Sequence, residues 1–214
     1  MEGEEGEGAP RFVETVIRRE EWEVIPRLIE LETNLEAMLR IRDVALNEAA
    51  TATPFHAANA PGTFAYQHGI FALRNEHVGK IWRIDRQEGV EGIFNPSARV
   101  RILFSNVDIA CNDDHNPKPR SRKGSGVERV CEGNLFGHLP QYAPRQSEKI
   151  ATFYVMVDDR GAAELSRPVV SGETFSSYIE RNYLSLGGDG GWGAMLLLTD
   201  DDALVNFDPL VARK

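Results

Sequence analysis

The sequence predicts an α+β fold in which a long N-terminal helix and two further helices pack on a largely antiparallel β-sheet. In the first third of the chain, apolar residues recur at helical spacing. From Lys80 onward, short runs of β-branched and aromatic residues alternate with Gly, Asn and Pro, which is typical of strands and turns. No period repeats along the 214 residues, which excludes solenoids and propellers.

The composition predicts one domain preceded by a short tail. Apolar residues make up 42% of the chain, enough for a substantial core, and we expect a single α+β domain over residues 12–214. Residues 1–11 begin MEGEEGEGAP, with four Glu and three Gly that can bury nothing, so they are expected to be a disordered acidic tail.

Three segments are predicted to be helical. The long N-terminal helix is expected over residues 25–47, with Leu28, Leu31, Leu35 and Met38 on one face and Pro26 in its first turn. A second helix is expected over residues 63–79, where Thr63 can cap the start and Gly79 can end it.

The third predicted helix covers residues 171–186, SGETFSSYIERNYLSL. Ser171 is expected to cap it, and its apolar side is formed by Phe175, Tyr178, Ile179 and Leu186.

The strands are expected in two groups. Residues 80–85, 89–95 and 98–111 predict an antiparallel meander. Residues 151–157 and 162–170 are joined by the turn DDRG and predict a hairpin. A further hairpin is expected over residues 193–211, around the three aspartates of LLLTDDDALV.

The overall charge limits the classes of partner. The formal net charge of -9 excludes a protein that coats nucleic acid along its whole surface, so any site for a polyanion must be local. The N-terminus has neither the basic start nor the apolar run of a signal peptide, and the longest strongly apolar stretch, 194–198, is far too short for a bilayer. We therefore expect a cytoplasmic protein with no membrane segment.

Asp108 is the first candidate site residue. An uninterrupted strand over residues 98–111 would place Phe104 and Asp108 on one face and Leu103 and Val107 on the other, so that Asp108 points toward a covered face. Burying a carboxylate is costly unless a cation or hydrogen-bond donors compensate it. Asp108 is therefore either part of a site or a strand-end carboxylate that receives backbone N–H bonds or pairs with an Arg.

A basic loop follows over residues 116–130. It holds five cations against one acid, Glu128, and its interleaved prolines and glycines predict an irregular backbone whose N–H groups can meet phosphate oxygens. The alternative is a solvated loop whose cations pair with the acidic surface of the protein itself. The nucleic-acid-binding or phosphate-binding set is Lys118, Arg120, Arg122, Lys123 and Arg129.

A nuclease would use part of the same segment. Carboxylates at a strand end can hold Mg²⁺ while a lysine stabilises the charge of a phosphodiester during cleavage. The catalytic candidates for such a divalent-metal phosphodiesterase are Glu91, Asp108 and Lys123.

A zinc site is a further alternative. Tetrahedral Zn²⁺ takes four Cys or His ligands, although the C-x3-H and C-x6-H spacing here is unusual. The same cysteines can instead be small buried apolar residues. The four potential ligands are Cys111, His115, Cys131 and His138.

Taken together, the residues favour a cytoplasmic accessory protein that binds a phosphate-bearing partner, nucleic acid first among them, through the basic loop. Two alternatives stay open: the Mg²⁺-dependent nuclease centred on Asp108, and a non-catalytic protein-interaction or inhibitor protein, such as one encoded by a mobile element. The cofactor is left unknown: Mg²⁺ is expected only in the nuclease and Zn²⁺ only in the metal-site alternative.

Overall fold

The structure, a computed structural model, describes residues 14–135 and 150–188, and within them it contains seven strands and four α-helices. The predicted acidic tail and the predicted hairpin over 193–211 lie outside the described residues. The strands are β1 (Val16–Arg18), β2 (Arg83–Asp85), β3 (Gly92–Asn95), β4 (Val100–Asn106), β5 (Ala151–Val157), β6 (Ala162–Ser171) and β7 (Thr174–Leu186). The helices are α1 (Glu21–Glu30), α2 (Leu35–Ala49), α3 (Ala60–His77) and α4 (Ser125–Leu135).

The seven strands form one mixed sheet in the order β1-β7-β6-β5-β4-β3-β2. The meander β2-β3-β4 and the hairpin β5-β6 are antiparallel, as expected. However, β1 pairs with β7 and β4 pairs with β5 in parallel, which corrects the prediction of a largely antiparallel sheet. A parallel pair needs a long crossover, and the chain between Asn106 and Ala151 supplies it for β4 and β5.

The prediction of a single long N-terminal helix is wrong, because the chain turns between α1 and α2. Glu32 has a positive φ of 56°, which interrupts the helical backbone. Asn34 then caps α2, its side-chain oxygen accepting a 2.8 Å hydrogen bond from the Ala37 N–H. In addition, α1 begins at Glu21 rather than near Pro26, which lies inside that helix.

The third predicted helix is also wrong, because residues 174–186 form β7. Three register irregularities between β6 and β7 insert extra residues into β7 and change the phase of its alternation. Phe175 and Tyr178 therefore pack in the same core although they are three residues apart. The bulges reproduce in a strand the spacing that is otherwise typical of a helix.

Each face of the sheet carries its own core. On one face, Phe104 and Phe153 pack against α1, α2 and α3. On the other, Tyr154 and Phe175 are covered by the crossover between β4 and β5, which contributes Cys131 from α4. The basic loop over residues 116–130, which is part of this crossover, is thus packed on the sheet.

Only the first part of the predicted basic loop is irregular. Residues 107–124 have no regular helix, whereas the chain from Ser125 onward forms α4, which corrects the expectation that 116–130 is all loop. Glycines in the first turn of a helix are tolerated when packing against another segment holds the turn in place. In the part of the chain that the structure describes, no helix has the length and apolar character needed to cross a membrane.

Gly126 determines how closely α4 approaches the turn at Gln87–Gly89. A Cβ atom at Gly126 would overlap with the backbone carbonyl of Glu88, whereas a Cβ at Gly124 would meet nothing within 4 Å. We expect Gly126→Ala to lower the free energy of unfolding by about 1–3 kcal/mol, because backbone must shift to relieve the overlap. Gly124→Ala is the matched control and should change it by less than about 1 kcal/mol in urea unfolding. Equal effects of the two variants would contradict this packing.

Candidate functional site

Asp108 stabilises the crossover rather than pointing into a core. It lies beyond the end of β4, where Oδ1 accepts hydrogen bonds of 2.7 Å from the N–H groups of Ile109 and Lys118. Its Oδ2 lies 2.9 Å from His115 Nε2. Burial alone would raise the pKa of Asp108, but the hydrogen bonds from Lys118, Ile109 and His115 outweigh burial and lower it. Asp108 is thus an ionised carboxylate with backbone donors, one of the two roles expected of it.

Three of the five cations predicted to bind nucleic acid form ion pairs with acids of the protein. Arg120 pairs with Asp159, Arg122 lies 3.5 Å from Glu173, and Arg129 lies 2.7 Å from Glu88. Arg122 is the loosest of them, since 90% of its side chain is exposed. Lys118 is exposed, and its backbone closes the Asp108 turn.

Lys123 differs from the other four cations because it is buried. Only 7% of the residue is exposed. Its Nζ donates a 2.9 Å hydrogen bond to Ser105 Oγ and lies 5.4 Å and 5.2 Å from the centroids of the Tyr154 and Phe175 rings. Among the described residues no carboxylate lies within ion-pair distance of this ammonium.

Burial lowers the pKa of Lys123 from its ordinary value of 10.5 to about 8. The side chain is therefore mainly protonated at pH 7. A buried ammonium that contacts one hydroxyl and two ring faces, with no described counter-ion, is costly to the fold. Such a group attracts an anion.

Lys123 borders a cavity of about 160 Å³ at a gap in the sheet. The pairing of β3 with β4 ends where Gly92 meets Leu103, and an isolated bridge joins Val107 to Pro119 further along. Between these two points β4 has no strand beside it on that side. Side chains from opposite faces of the sheet can meet there, and the cavity is lined by Tyr66 of α3, by Glu91, by Arg122, Lys123 and Gly124 before α4, and by Tyr154 of β5.

Tyr154, which lines this cavity, has a weakly bonded hydroxyl. The residue is 2% exposed, and its hydroxyl lies beside the Cys131 thiol, a weak hydrogen-bond partner, with no closer polar partner among the described residues. Burial, together with the neighbouring Cys131 thiol, holds the pKa of Tyr154 well above its ordinary value. The hydroxyl therefore keeps its proton and can donate a hydrogen bond.

The N-terminus of α4 reinforces the positive character of the site. Gly124 lines the cavity directly before Ser125, the first residue of this 11-residue helix. The first N–H groups of a helix lack intrahelical acceptors and carry the positive end of the helix dipole. An anion in the cavity would therefore lie near Lys123, Tyr154 and the positive end of the α4 dipole.

Glu91 is the carboxylate that lines the cavity, and two arginines neutralise it. Its Oε2 accepts hydrogen bonds from Arg74 and, at 3.3 Å, from Arg86. The bond from Arg74 is the main reason that the pKa of Glu91 is lowered. Glu91 thus belongs to a charged cluster with no net negative charge.

The three nuclease candidates are divided between two places. Glu91 and Lys123 border the same cavity, but Asp108 lies past the end of β4 and is occupied by His115 and backbone donors. Glu91 is bonded to two arginines. Over residues 14–135 and 150–188, no three His, Cys, Asp or Glu side chains are grouped so that they could hold a metal ion.

The three described zinc candidates are likewise hydrogen-bonded to other groups or buried in a core. Cys111 Sγ donates hydrogen bonds to the carbonyl oxygens of Ala163 and Ser185, at 3.1 and 3.3 Å. Cys131 is buried in the core, where burial raises the pKa of its thiol to about 12. His115 binds Asp108, and His138 lies outside the described residues.

Sequence reasoning did not find Tyr154 and Ser105 as neighbours of Lys123, or Tyr66 as a residue of the same cavity. In the sequence Tyr154 is one aromatic residue within ATFYVMV, and nothing local shows that it lies beside a buried ammonium. The signal that could have marked the site is Lys123 itself, as the cation nearest to the start of a helix.

A comparison of the chain with models of known protein families, with curated proteins and with solved structures finds no match in any of the three. A function is therefore inferred from the geometry of the cavity itself.

Proposed function

We propose that this protein binds a phosphate group of a phosphate-bearing partner in the cavity beside Lys123. The observation that carries the proposal is the buried ammonium, 7% exposed and with no described carboxylate within ion-pair distance. A bound anion would offset the cost of burying this charge. The basic loop thus provides one recessed site, while its arginines form ion pairs with acids of the protein.

The chemistry of the donors favours phosphate over other anions. An ammonium, a tyrosine hydroxyl and the N-terminus of α4 offer donors from several directions, which suits a group with three or more acceptor oxygens. The volume of about 160 Å³ is equal to that of roughly five waters in the liquid, and it is smaller than pockets that enclose whole drug-sized ligands. A phosphate group fits this space, and the rest of the partner would remain outside.

Cys111 and Cys131, the two cysteines of the chain, are free thiols. They support the proposal that the protein works in a reducing compartment such as the cytoplasm.

Calorimetric titration with inorganic phosphate tests the proposal. Lys123→Met removes the ammonium at nearly constant volume, and we expect it to weaken binding at least about tenfold, the effect of losing one charge-assisted hydrogen bond. Lys118→Met is the matched control, because it removes an exposed cation of the same segment. It should weaken binding less than about threefold, the amount expected of a screened surface charge.

The pH dependence provides a second readout in the same titration. Lys123 loses its proton as the pH rises through about 8. Phosphate affinity should therefore fall between pH 8 and 10, where phosphate itself keeps its charge. An absence of saturable binding to the wild-type protein at pH 7 and low salt would refute the proposed function.

Tyr154→Phe separates binding from folding. The described neighbour of the hydroxyl is the Cys131 thiol, a weak hydrogen-bond partner, so its removal should lower the free energy of unfolding by less than about 1 kcal/mol. If the hydroxyl donates to the bound phosphate, however, the affinity should fall by about tenfold. Unchanged phosphate affinity in Tyr154→Phe would remove this residue from the site.

A further inference from the structure

We infer that the phosphate bound beside Lys123 is the terminal phosphate of a polynucleotide, with the adjoining base stacked on Tyr66. This inference rests on the proposed phosphate site and specifies the class of its partner.

The depth of Lys123 favours a terminal phosphate over an internal one. An internal phosphodiester carries a nucleoside on each side, so both substituents would have to pass beside a residue that is 7% exposed. A terminal phosphate carries a single substituent and can enter the cavity while its nucleoside stays outside. It also carries about 1.5 to 2 negative charges at neutral pH, which suits an uncompensated ammonium.

Tyr66 is placed to contact that nucleoside. It lies on α3, lines the same cavity and is 40% exposed, so that part of its ring faces solvent. Stacking of a base on an aromatic side chain contributes about 1–3 kcal/mol and requires no particular base. Arg122 also lines the cavity and offers a planar guanidinium that is 90% exposed and lies 3.5 Å from Glu173.

These two planar groups favour a nucleotide over a phosphorylated peptide. A base can stack on either of them, whereas the small side chain of a phosphoserine cannot. The structure thus combines a buried cation for the phosphate with exposed flat surfaces for the group attached to it.

The charge distribution further indicates an end-binding site. The protein carries a formal charge of -9, and Arg120 and Arg129 are already paired with Asp159 and Glu88. A long polyanion lying across this surface would meet acids as well as cations. Binding at one end needs only about two cations, Lys123 and Arg122, so the slope of log affinity against log salt should be about -1 to -1.5 for a single strand.

Fluorescence anisotropy can test the inference with single-stranded oligonucleotides of about ten nucleotides. Three probes of one sequence carry a 5′-phosphate, a 3′-phosphate or no terminal phosphate, with the label at the other end. We expect one phosphorylated end to bind at least about tenfold more tightly than the unphosphorylated probe, and inorganic phosphate to compete with it.

Variants at Tyr66 distinguish stacking from phosphate binding. Tyr66→Ala should weaken binding of the phosphorylated oligonucleotide by about 5- to 150-fold, the equivalent of one stacked base, and should leave the affinity for inorganic phosphate unchanged. Tyr66→Phe should retain the affinity. Phe71→Ala is the matched control, because Phe71 is also an exposed aromatic residue of α3, at 61%, but does not line the cavity.

The outcomes separate the two proposals. If inorganic phosphate binds but phosphorylated and unphosphorylated probes bind equally, the inference is overturned and the phosphate site stands. A phosphoserine peptide that binds more tightly than every oligonucleotide also overturns it. If neither inorganic phosphate nor any probe binds, the proposed function fails and the inference with it.

Discussion

Arg181→Met is expected to lower the free energy of unfolding by about 3–5 kcal/mol, the usual effect of removing one partner from a buried ion pair. Arg181 and Glu164 have side chains that are 1% and 0% exposed, and they are joined by hydrogen bonds of 2.7 and 3.0 Å. Without the guanidinium, a carboxylate would be buried without its cation. Urea unfolding followed by circular dichroism measures the loss.

Arg181 also connects the crossover to the sheet. Its NH1 group donates hydrogen bonds of 2.9 and 3.1 Å to the carbonyl oxygens of Asn112 and His115. Because these residues belong to the segment that leads to Lys123, we expect Arg181→Met to weaken phosphate binding as well, in protein that is still folded at low urea.

Two further variants test this explanation. Arg129→Met removes a half-exposed partner of Glu88 and should lower the free energy of unfolding by less than about 1 kcal/mol. The double variant Glu164→Leu/Arg181→Met removes both buried charges. It should lower the free energy of unfolding by less than the sum of the losses in the two single variants. An Arg181→Met protein within about 1 kcal/mol of the wild type would show that the pair does not stabilise the fold in this way.

Lys123→Met should have the opposite effect on stability and increase the free energy of unfolding by about 1–3 kcal/mol at pH 7. Burial lowers the pKa of Lys123 from 10.5 to about 8, and this difference corresponds to about 3 kcal/mol against the folded state when the group is charged. Methionine avoids that cost and fills a similar volume. The hydrogen bond to Ser105 and the contacts with two aromatic rings are lost, which reduces the gain.

The pH dependence of this difference follows from the direction of the pKa change. Between pH 8 and 10.5 the unfolded chain binds a proton at Lys123 that the folded protein does not, so the wild type should become more stable relative to Lys123→Met as the pH rises. Below pH 8 both states are protonated and the difference should be constant. A wild type that is more stable than Lys123→Met at pH 7 would mean that the buried ammonium is already compensated.

A substitution that stabilises the fold and at the same time weakens binding identifies a residue that serves function. A group retained for the fold alone should stabilise it, whereas Lys123 is expected to destabilise the empty protein and to stabilise the complex. Arg181 and Lys123 thus represent two kinds of buried cation in one chain, distinguished by whether a carboxylate lies beside them.

Local sequence patterns were sufficient to predict elements that depend mainly on residues close to one another in the chain. The helix expected over 63–79 is α3, although it runs from Ala60 to His77, so that Thr63 lies inside the helix and does not cap it. The turn DDRG joins β5 to β6 as predicted. In β4, Phe104 and Leu103 face opposite cores as the alternation requires. In each case the periodicity reports the side of an element that packs against the protein.

The same reasoning failed where a local interruption or a bulge changed the phase. Glu32 and Asn34 divide the predicted N-terminal helix, and bulges in β7 place Phe175 and Tyr178 on one face. A bulge depends on the partner strand, which the local sequence does not specify. Likewise, the strand expected to continue to Cys111 ends at Asn106, because the chain leaves the sheet to form the crossover.

The sequence by itself determined that positive charge is concentrated in residues 116–130 of an acidic protein, since charge is a property of composition. Only the tertiary structure decided which cation is buried. The parallel pairing of β4 with β5 places Tyr154 opposite Leu103, on the same face as Ser105 two residues further along β4. The crossover covers this face, so that Lys123 is buried against Ser105 and Tyr154 whereas Arg120 and Arg129 pair with acids. Burial and pairing depend on contacts between residues far apart in the chain, and no short pattern contains them.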